Sequence, residues 1–322
     1  VTANKAVIFN HGDELFSVAN KNGVKLLYES SVCAGTPIIK LLNQELAASK
    51  ISKISGMLNG TSNFILSNME EGMEFEPTLK LAQEKGYAEP DPSFDIEGTD
   101  AAHKIGILSS LAFGSSLPPK DFYIEGINGI HKDDFKYAYE MGYTIKHLAI
   151  AKSTNNSIDL RAHPSLVKLD SYLANLKGVR NGIEVETDLL GTLHIAGSGA
   201  GQEATASGVI SDLIYLSDSK IREVNNINEN IELIDFIDLD FQYYFYIEAS
   251  DVSGVMASIS SIFANKDVSI ESISQKENLN DDLVPIIIIT DPFKEKDYQE
   301  LVDNLLELDS VNKIRSIRIE PQ

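Results

Sequence analysis

Residues 86–104 read G-Y-A-E-P-D-P-S-F-D-I-E-G-T-D-A-A-H-K. Five carboxylates, Glu89, Asp91, Asp95, Glu97 and Asp100, crowd a short segment that opens an apolar helix carrying Lys104. Asp100 and Lys104 stand at i and i+4 and so share one helix face. Such a pair beneath an acidic loop suits a polar pocket that grips a cationic or hydroxylated small molecule and moves a proton. A solvated loop with an ordinary surface ion pair accounts for the same residues.

Working outward, the helix begun by this stretch presents Ile105, Leu108 and Leu111 and ends near Phe113, with Gly114 as terminator. Ahead of it, apolar spacing predicts a helix over 11–22 closed by Gly23, a short strand at 24–28, and a helical turn after Pro37. A strand at 51–57 then turns through Asn59-Gly60-Thr61 into another helix, and residues 77–85 form one more. After Phe122 the pattern becomes strand-like at 143–152, 157–163, 182–187 and 192–196. A glycine cluster at 197–201 precedes a helix over about 204–216. Residues 225–241 are acidic and Asn-rich and read as a linker. From Tyr243 the predicted order is βαββαβ, a ferredoxin-like arrangement expected to be self-contained. The fold class is therefore α+β with a mixed sheet.

The 322 residues are enough for two domains. No apolar run reaches membrane-spanning length, and Val1–Lys5 lacks the form of a signal peptide. The net charge of −21 argues against nucleic acid and anionic membranes as partners. A single cysteine, Cys33, rules out an intrachain disulfide framework and fits a reducing cytoplasm. No histidine pairing points to Cys33 as a nucleophile, and none of the histidines shows zinc spacing.

The acidic stretch resembles the signature of homoserine dehydrogenases through Gly86, Tyr87, Glu89, Asp91, Pro92, Asp95, Gly98, Asp100 and Lys104. V-T-A-N-K at the start is similar to the end of that family's dinucleotide-binding domain. Y-E-S-S-V-C-A-G-T-P-I-I, G-M-L-N-G-T-S-N-F-I and G-S-G-A-G-Q-E-A-T-A-S follow in the family's order. The last eighty or so residues resemble an ACT domain, an amino-acid-sensing module, with Asp251-Val252-Ser253-Gly254-Val255 at its ligand loop. Ser253 stands where proline is often found. The resemblance implies a remnant of a dinucleotide-binding domain at 1–28, a catalytic and dimerisation domain at 29–224, a linker at 225–241 and an ACT domain at 242–322. It also implies a homodimer or higher assembly.

By that resemblance the chain interconverts L-homoserine and L-aspartate semialdehyde with NAD or NADP, in threonine and methionine biosynthesis. Lys104 is the expected proton group, Asp100 its orienting partner, and Lys5 a second catalytic or nicotinamide-side lysine with Asn4 beside it. Glu89 and Asp95 suit the substrate ammonium, Tyr87 lines the pocket, and Gly60 and Thr61 offer donors at a helix N-terminus. Gly199, Ala200 and Gly201 let backbone approach the cofactor. Glu29, Val32, Ala34 and Thr36 match positions that hold a monovalent cation such as Na⁺ in the family, a hard-cation set. Asp251, Gly254 and Val255 would hold a free amino acid, threonine being the expected effector.

No G-x-G-x-x-G stretch occurs in the 322 residues. The resemblance implies that about one domain, on the order of 100 residues, belongs before Val1. It leaves room for fusion to an aspartate kinase. The chain as given is therefore expected to bind NAD(P) weakly and to turn over poorly. The alternative function is a non-catalytic amino-acid sensor on a dehydrogenase-like scaffold, against which the Glu89, Asp95, Asp100 and Lys104 set speaks.

Overall fold

The computed structural model describes residues 1–119, 121–217, 231–276 and 282–321. The first half carries α1 (Lys5–Lys21), α2 (Ile38–Lys40), β1 (Ile51–Met57), α3 (Gly60–Glu70), α4 (Phe75–Glu84), α5 (Ser93–Ile96) and α6 (Thr99–Phe113). It continues through β2 (Tyr123–Ile124), α7 (Lys132–Glu140), β3 (Tyr143–Thr154), β4 (Ser157–Lys168), β5 (Arg180–Thr187), β6 (Gly191–Ser198) and α8 (Gln202–Ser217). The rest is β7 (Glu232–Leu233), β8 (Asp240–Ser250), α9 (Val255–Asn265), β9 (Ile270–Gln275), β10 (Leu283–Thr290), β11 (Phe293–Lys294), α10 (Glu295–Leu306) and β12 (Val311–Ile319).

The long strands form one sheet in the order β6-β5-β1-β3-β4-β12-β8-β10-β9. Strand β3, next to the middle of this order, is buried almost throughout because both faces are covered. Ile145, Ala149 and Ala151 belong to the cores built with α3, α6 and α7, while Leu148 and Ile150 pack with Met57, Leu173 and Leu176 on the other side. This is the period-two alternation of the strand expected at 143–152.

The expectation of a self-contained C-terminal unit is corrected. Strands β12-β8-β10-β9, with α9 and α10, do follow the βαββαβ order. However, β12 also pairs in parallel with β4, through Arg318–Ser165 and Ile319–Leu166, so the sheet continues without a break. The apolar core crosses the same seam: Phe135, Ile145 and Leu166 share a cluster with Tyr244, Tyr246, Ile287 and Ile317. A free edge on β12 would have been a row of unpaired backbone groups, and β4 covers its end.

Ion pairs fasten the seam. Arg315 grips Asp134 of α7 through three hydrogen bonds of 2.8–3.1 Å. Arg318 binds Glu295 at 2.6 Å and Glu125 at 2.7 Å, with its guanidinium over the rings of Tyr123 and Phe236. Glu320 takes Arg161 and Lys53, each at 3.0 Å.

Residues 24–28 were expected to form a strand and do not. Val24 bonds back to Ala19, and Thr2 donates to Leu27, so no ladder forms. Of the expected linker, 225–230 lie outside the described residues. Its described remainder carries β7 on β4, Phe236 stacked on Tyr123, and the start of β8. Helix α7 escaped sequence reading because its signals are a histidine N-cap and a box closed by Asp134 rather than an apolar stripe.

Replacing Arg318 with alanine leaves Glu295 buried without its counter-charge. The expected loss is about 3–5 kcal/mol, measured by urea unfolding against the parent chain; a loss under about 1 kcal/mol would show that the contacts of Arg318 do not hold the seam.

Candidate active site

The buried head of α6 is the centre of the site. Gly98, in the left-handed region at φ +87°, turns the acidic loop into the helix, and Asp100 follows in its first turn. The Asp100 carboxylate meets Lys104 Nζ at 2.7 Å and Lys5 Nζ at 2.9 Å. Asn59 Nδ2 donates to the same carboxylate at 2.8 Å and to Asp95 at 2.7 Å. Lys104 Nζ also donates to the Leu58 carbonyl at 2.5 Å. Asp100 and Lys104 are 4% and 7% exposed, so the i,i+4 pair is not a surface bridge.

Burial pushes the Asp100 carboxyl up, but the ammoniums of Lys104 and Lys5 and the Asn59 hydrogen bond outweigh it and hold the group at about 2. Burial pushes Lys104 down, yet Asp100 at contact distance leaves its pKa raised. Lys104 is therefore an ammonium at neutral pH. Asp95 behaves oppositely: burial raises it, and the Asn59 hydrogen bond only partly offsets that. A half-buried carboxylate in that condition is short of positive charge.

The other residues singled out in the sequence fall in three settings. Near the cluster, Asn4 caps α1 by accepting from Val7, and Lys5 extends under the Phe94 ring. Gly60 and Thr61 open α3, whose first N–H groups have no intrahelical acceptor. The Thr61 hydroxyl donates to the Tyr87 carbonyl at 2.8 Å, and Ser62 donates to that of Asp95, so α3 and the acidic loop are tied together. Tyr87 is 43% exposed with its ring edge-on to Phe64. Glu89 is exposed, and its carbonyl rather than its carboxylate takes a hydrogen bond, from Gln83.

Gly199 lies against Asn181 of β5, where an added Cβ would sit 1.9 Å from the Asn181 Oδ1. Ala200 and Gly201 are exposed, and Gly201 has φ +121°. In the 29–36 segment, Val32, Ala34 and Thr36 are buried. The Thr36 hydroxyl oxygen has no hydrogen-bond partner. Both Glu29 carboxylate oxygens already accept from the amides of Ile39 and Lys40 at 3.0 Å. Among the described residues no group of three or more His, Cys, Asp or Glu is placed to hold a metal ion.

Asp251 and Gly254 sit in the exposed turn before α9, with Gly254 at φ +95° and Val255 buried at the helix start. Gln275 reaches Asp251 only at 3.4 Å.

Three participants were not singled out. Asn59 sits one residue before Gly60 and could have been found as the N-cap of an N-x-x-S turn, since its Oδ1 accepts from Ser62. The Leu58 carbonyl is backbone and carries no sequence signal. Asn181 is distant in sequence and reaches the cluster only through the β1–β5 pairing.

The Asp100 pKa, about 2 in the fold against 3.8 for a free aspartate side chain, contributes stability above pH 3.8 that is lost as pH falls through 2. The contribution is about 2–3 kcal/mol. Replacing Asp100 with asparagine should flatten the acid limb of stability between these pH values, followed by chemical denaturation across pH 2–5. An unchanged limb would place the acid-labile carboxylate elsewhere.

A sequence model of the homoserine dehydrogenase family matches residues 37–214. Homoserine dehydrogenase of Pseudomonas aeruginosa is 41% identical over 333 residues, covering 99% of this chain and 77% of its own length. The crystal structure of a homoserine dehydrogenase from Thiobacillus denitrificans superposes with a TM-score of 0.92 at 38% identity, over 99% of this chain and 75% of that one. A hyperthermophilic archaeal homoserine dehydrogenase, solved in complex with NADPH, gives 0.60 at 32% identity, over 69% of this chain and 64% of that one. A buried acid–lysine cluster at the head of α6, a fold shared almost end to end and this level of identity lead to one conclusion: the chain belongs to the homoserine dehydrogenase family.

Proposed function

We propose that the cluster at the head of α6 carries the proton-handling and substrate-binding half of the family reaction, the NAD(P)-dependent interconversion of L-homoserine and L-aspartate semialdehyde. The observation that carries this reading is Lys104: a buried ammonium with two of its three donors fixed, on Asp100 and on the Leu58 carbonyl. The third is left for a substrate oxygen. As an ammonium it hydrogen-bonds the aldehyde oxygen and stabilises the developing alkoxide; in the reverse direction the neutral amine takes the hydroxyl proton. Asp100 keeps Lys104 charged and fixed. Lys5 is the second cation on the same carboxylate, at Oδ1 where Lys104 takes Oδ2.

Asp95, half-buried and short of positive charge, suits the substrate ammonium, and the amides of Gly60 and Thr61 suit its carboxylate. Glu89 and Tyr87 belong to the rim of this pocket. When bound, the nicotinamide cofactor supplies or accepts the hydride. The residues present fit its nicotinamide end: Lys5 lies beside Asp100, and Gly199 and Gly201 remove side chains from the loop beyond the buried, unpartnered Asn181 oxygen. The NADPH-bound archaeal relative supports the same assignment. We assign the pyrophosphate grip to none of these 322 residues.

The segment Glu29, Val32, Ala34 and Thr36 is our choice for a monovalent cation. The unpartnered Thr36 oxygen supports it, while Glu29 is already engaged by backbone amides. We place the chain in the cytoplasm on its single buried free cysteine. Among the described residues no helix is long and apolar enough to cross a membrane. A homodimer is supported by the exposed Ile210, Leu213 and Ile214 on α8.

Replacing Lys104 with alanine should lower kcat about 10²- to 10⁴-fold with homoserine in the full-length enzyme. Turnover within about threefold of the parent would sink the assignment and favour a sensing role without catalysis. The C-terminal βαββαβ strands we read as an ACT-like amino-acid sensor, with Asp251, Gly254 and Val255 at its loop. Threonine should raise the melting temperature of the chain, and Asp251→Ala should abolish the rise. A rise that survives the substitution moves the effector elsewhere.

A further inference from the structure

We propose that Asn181 is a positioning residue of this site, whose carboxamide couples the setting of Lys104 to the approach of the 199–201 loop. The inference rests on the reading of Lys104 given above.

Asn181 is wholly buried on β5. Its Nδ2 donates to the Leu58 carbonyl at 2.6 Å and lies 3.1 Å from Cys33 Sγ. Leu58 is also the acceptor of Lys104 Nζ at 2.5 Å. A carbonyl has two lone pairs, so both are taken. The two donors polarise the same oxygen, and each weakens the hold of the other. Asn181 thus limits how tightly Leu58 retains the Lys104 proton.

The other end of the carboxamide points to the glycine loop. Asn181 Oδ1 is buried and has no hydrogen-bond partner. Such atoms are uncommon and unfavourable, and each needs an explanation. Here the Gly199 backbone passes so close that a Cβ would overlap Oδ1 at 1.9 Å, and a Cβ on Gly60 would lie 3.6 Å away. The unpartnered acceptor therefore faces the seam between the head of α3 and the 199–201 loop, the two segments assigned above to substrate and cofactor. Whatever moves the loop moves the carboxamide, and with it the second donor on Leu58.

The test is the pH dependence of homoserine oxidation by the full-length enzyme, with kcat and KM separated. Asn181→Ala leaves Leu58 to Lys104 alone, so the ammonium is held more firmly and the limb for its deprotonation moves to higher pH, by roughly half a unit to one unit. The expected fall in kcat is about tenfold or more, with homoserine KM within about twofold. Gly199→Ala pushes a methyl group against Oδ1 and should reproduce the shift, which keeps the test valid if Asn181→Ala folds poorly. In the double variant the second substitution should add nothing. A purely structural role would lower the melting temperature and leave the limb in place. An unmoved limb in the folded variants overturns the inference, as do independent, multiplying losses in the double variant. If Lys104→Ala keeps its turnover, the underlying reading fails instead.

Discussion

The site and much of the fold around it depend on one carboxylate buried between two lysines. Asp100 is shielded from water, yet it stays ionised because Lys104, Lys5 and Asn59 all address it. An isolated charge at that depth would be neutralised instead. The demand for partners draws four pieces of chain together: the start of α1, the β1–α3 turn, the acidic loop and α6. Taking one member away would leave the others as buried, uncompensated charges, so the cluster is also a structural joint.

The acidic stretch was the most readable part of the sequence, and the reason is local. Spacing of four on a helix brings Asp100 and Lys104 together whatever else the chain does. The end near Phe113 with Gly114 as terminator emerges in the fold as read, and Gly98 proves to be the turn that starts the helix. Asn59 was legible only as a helix cap, and Asn181 was not legible at all, because its part depends on which strands lie side by side. The same limit applies at the C-terminal end. The order βαββαβ is present, but whether β12 ends a separate sheet or joins β4 is decided by a long-range pairing that no local pattern encodes. The strand at 143–152 was legible, but its place inside the sheet was not, since its partners come from distant segments.

Three carboxylates of the acidic stretch have different fates, and the difference is instructive. Asp100 is satisfied by protein cations, whereas Asp95 is drawn into a half-buried position without one, and Glu89 stays in solvent. A protein optimised only for stability would have paired or exposed Asp95. Holding it in deficit fits the role proposed for it above, in which a bound cation completes the charge balance.

The union of β4 with β12 has a consequence for how the molecule is made. Arg161 finds its counter-ion in Glu320, 159 residues further along the chain. During synthesis the central strands β3 and β4 emerge well before the strand that joins their edge. The contacts formed by β12 are therefore among the most non-local in the molecule, of the kind that slows folding. Until β12 has been made, the end of β4 that it covers stays open, so completing the acidic loop and α6 does not by itself seal the sheet.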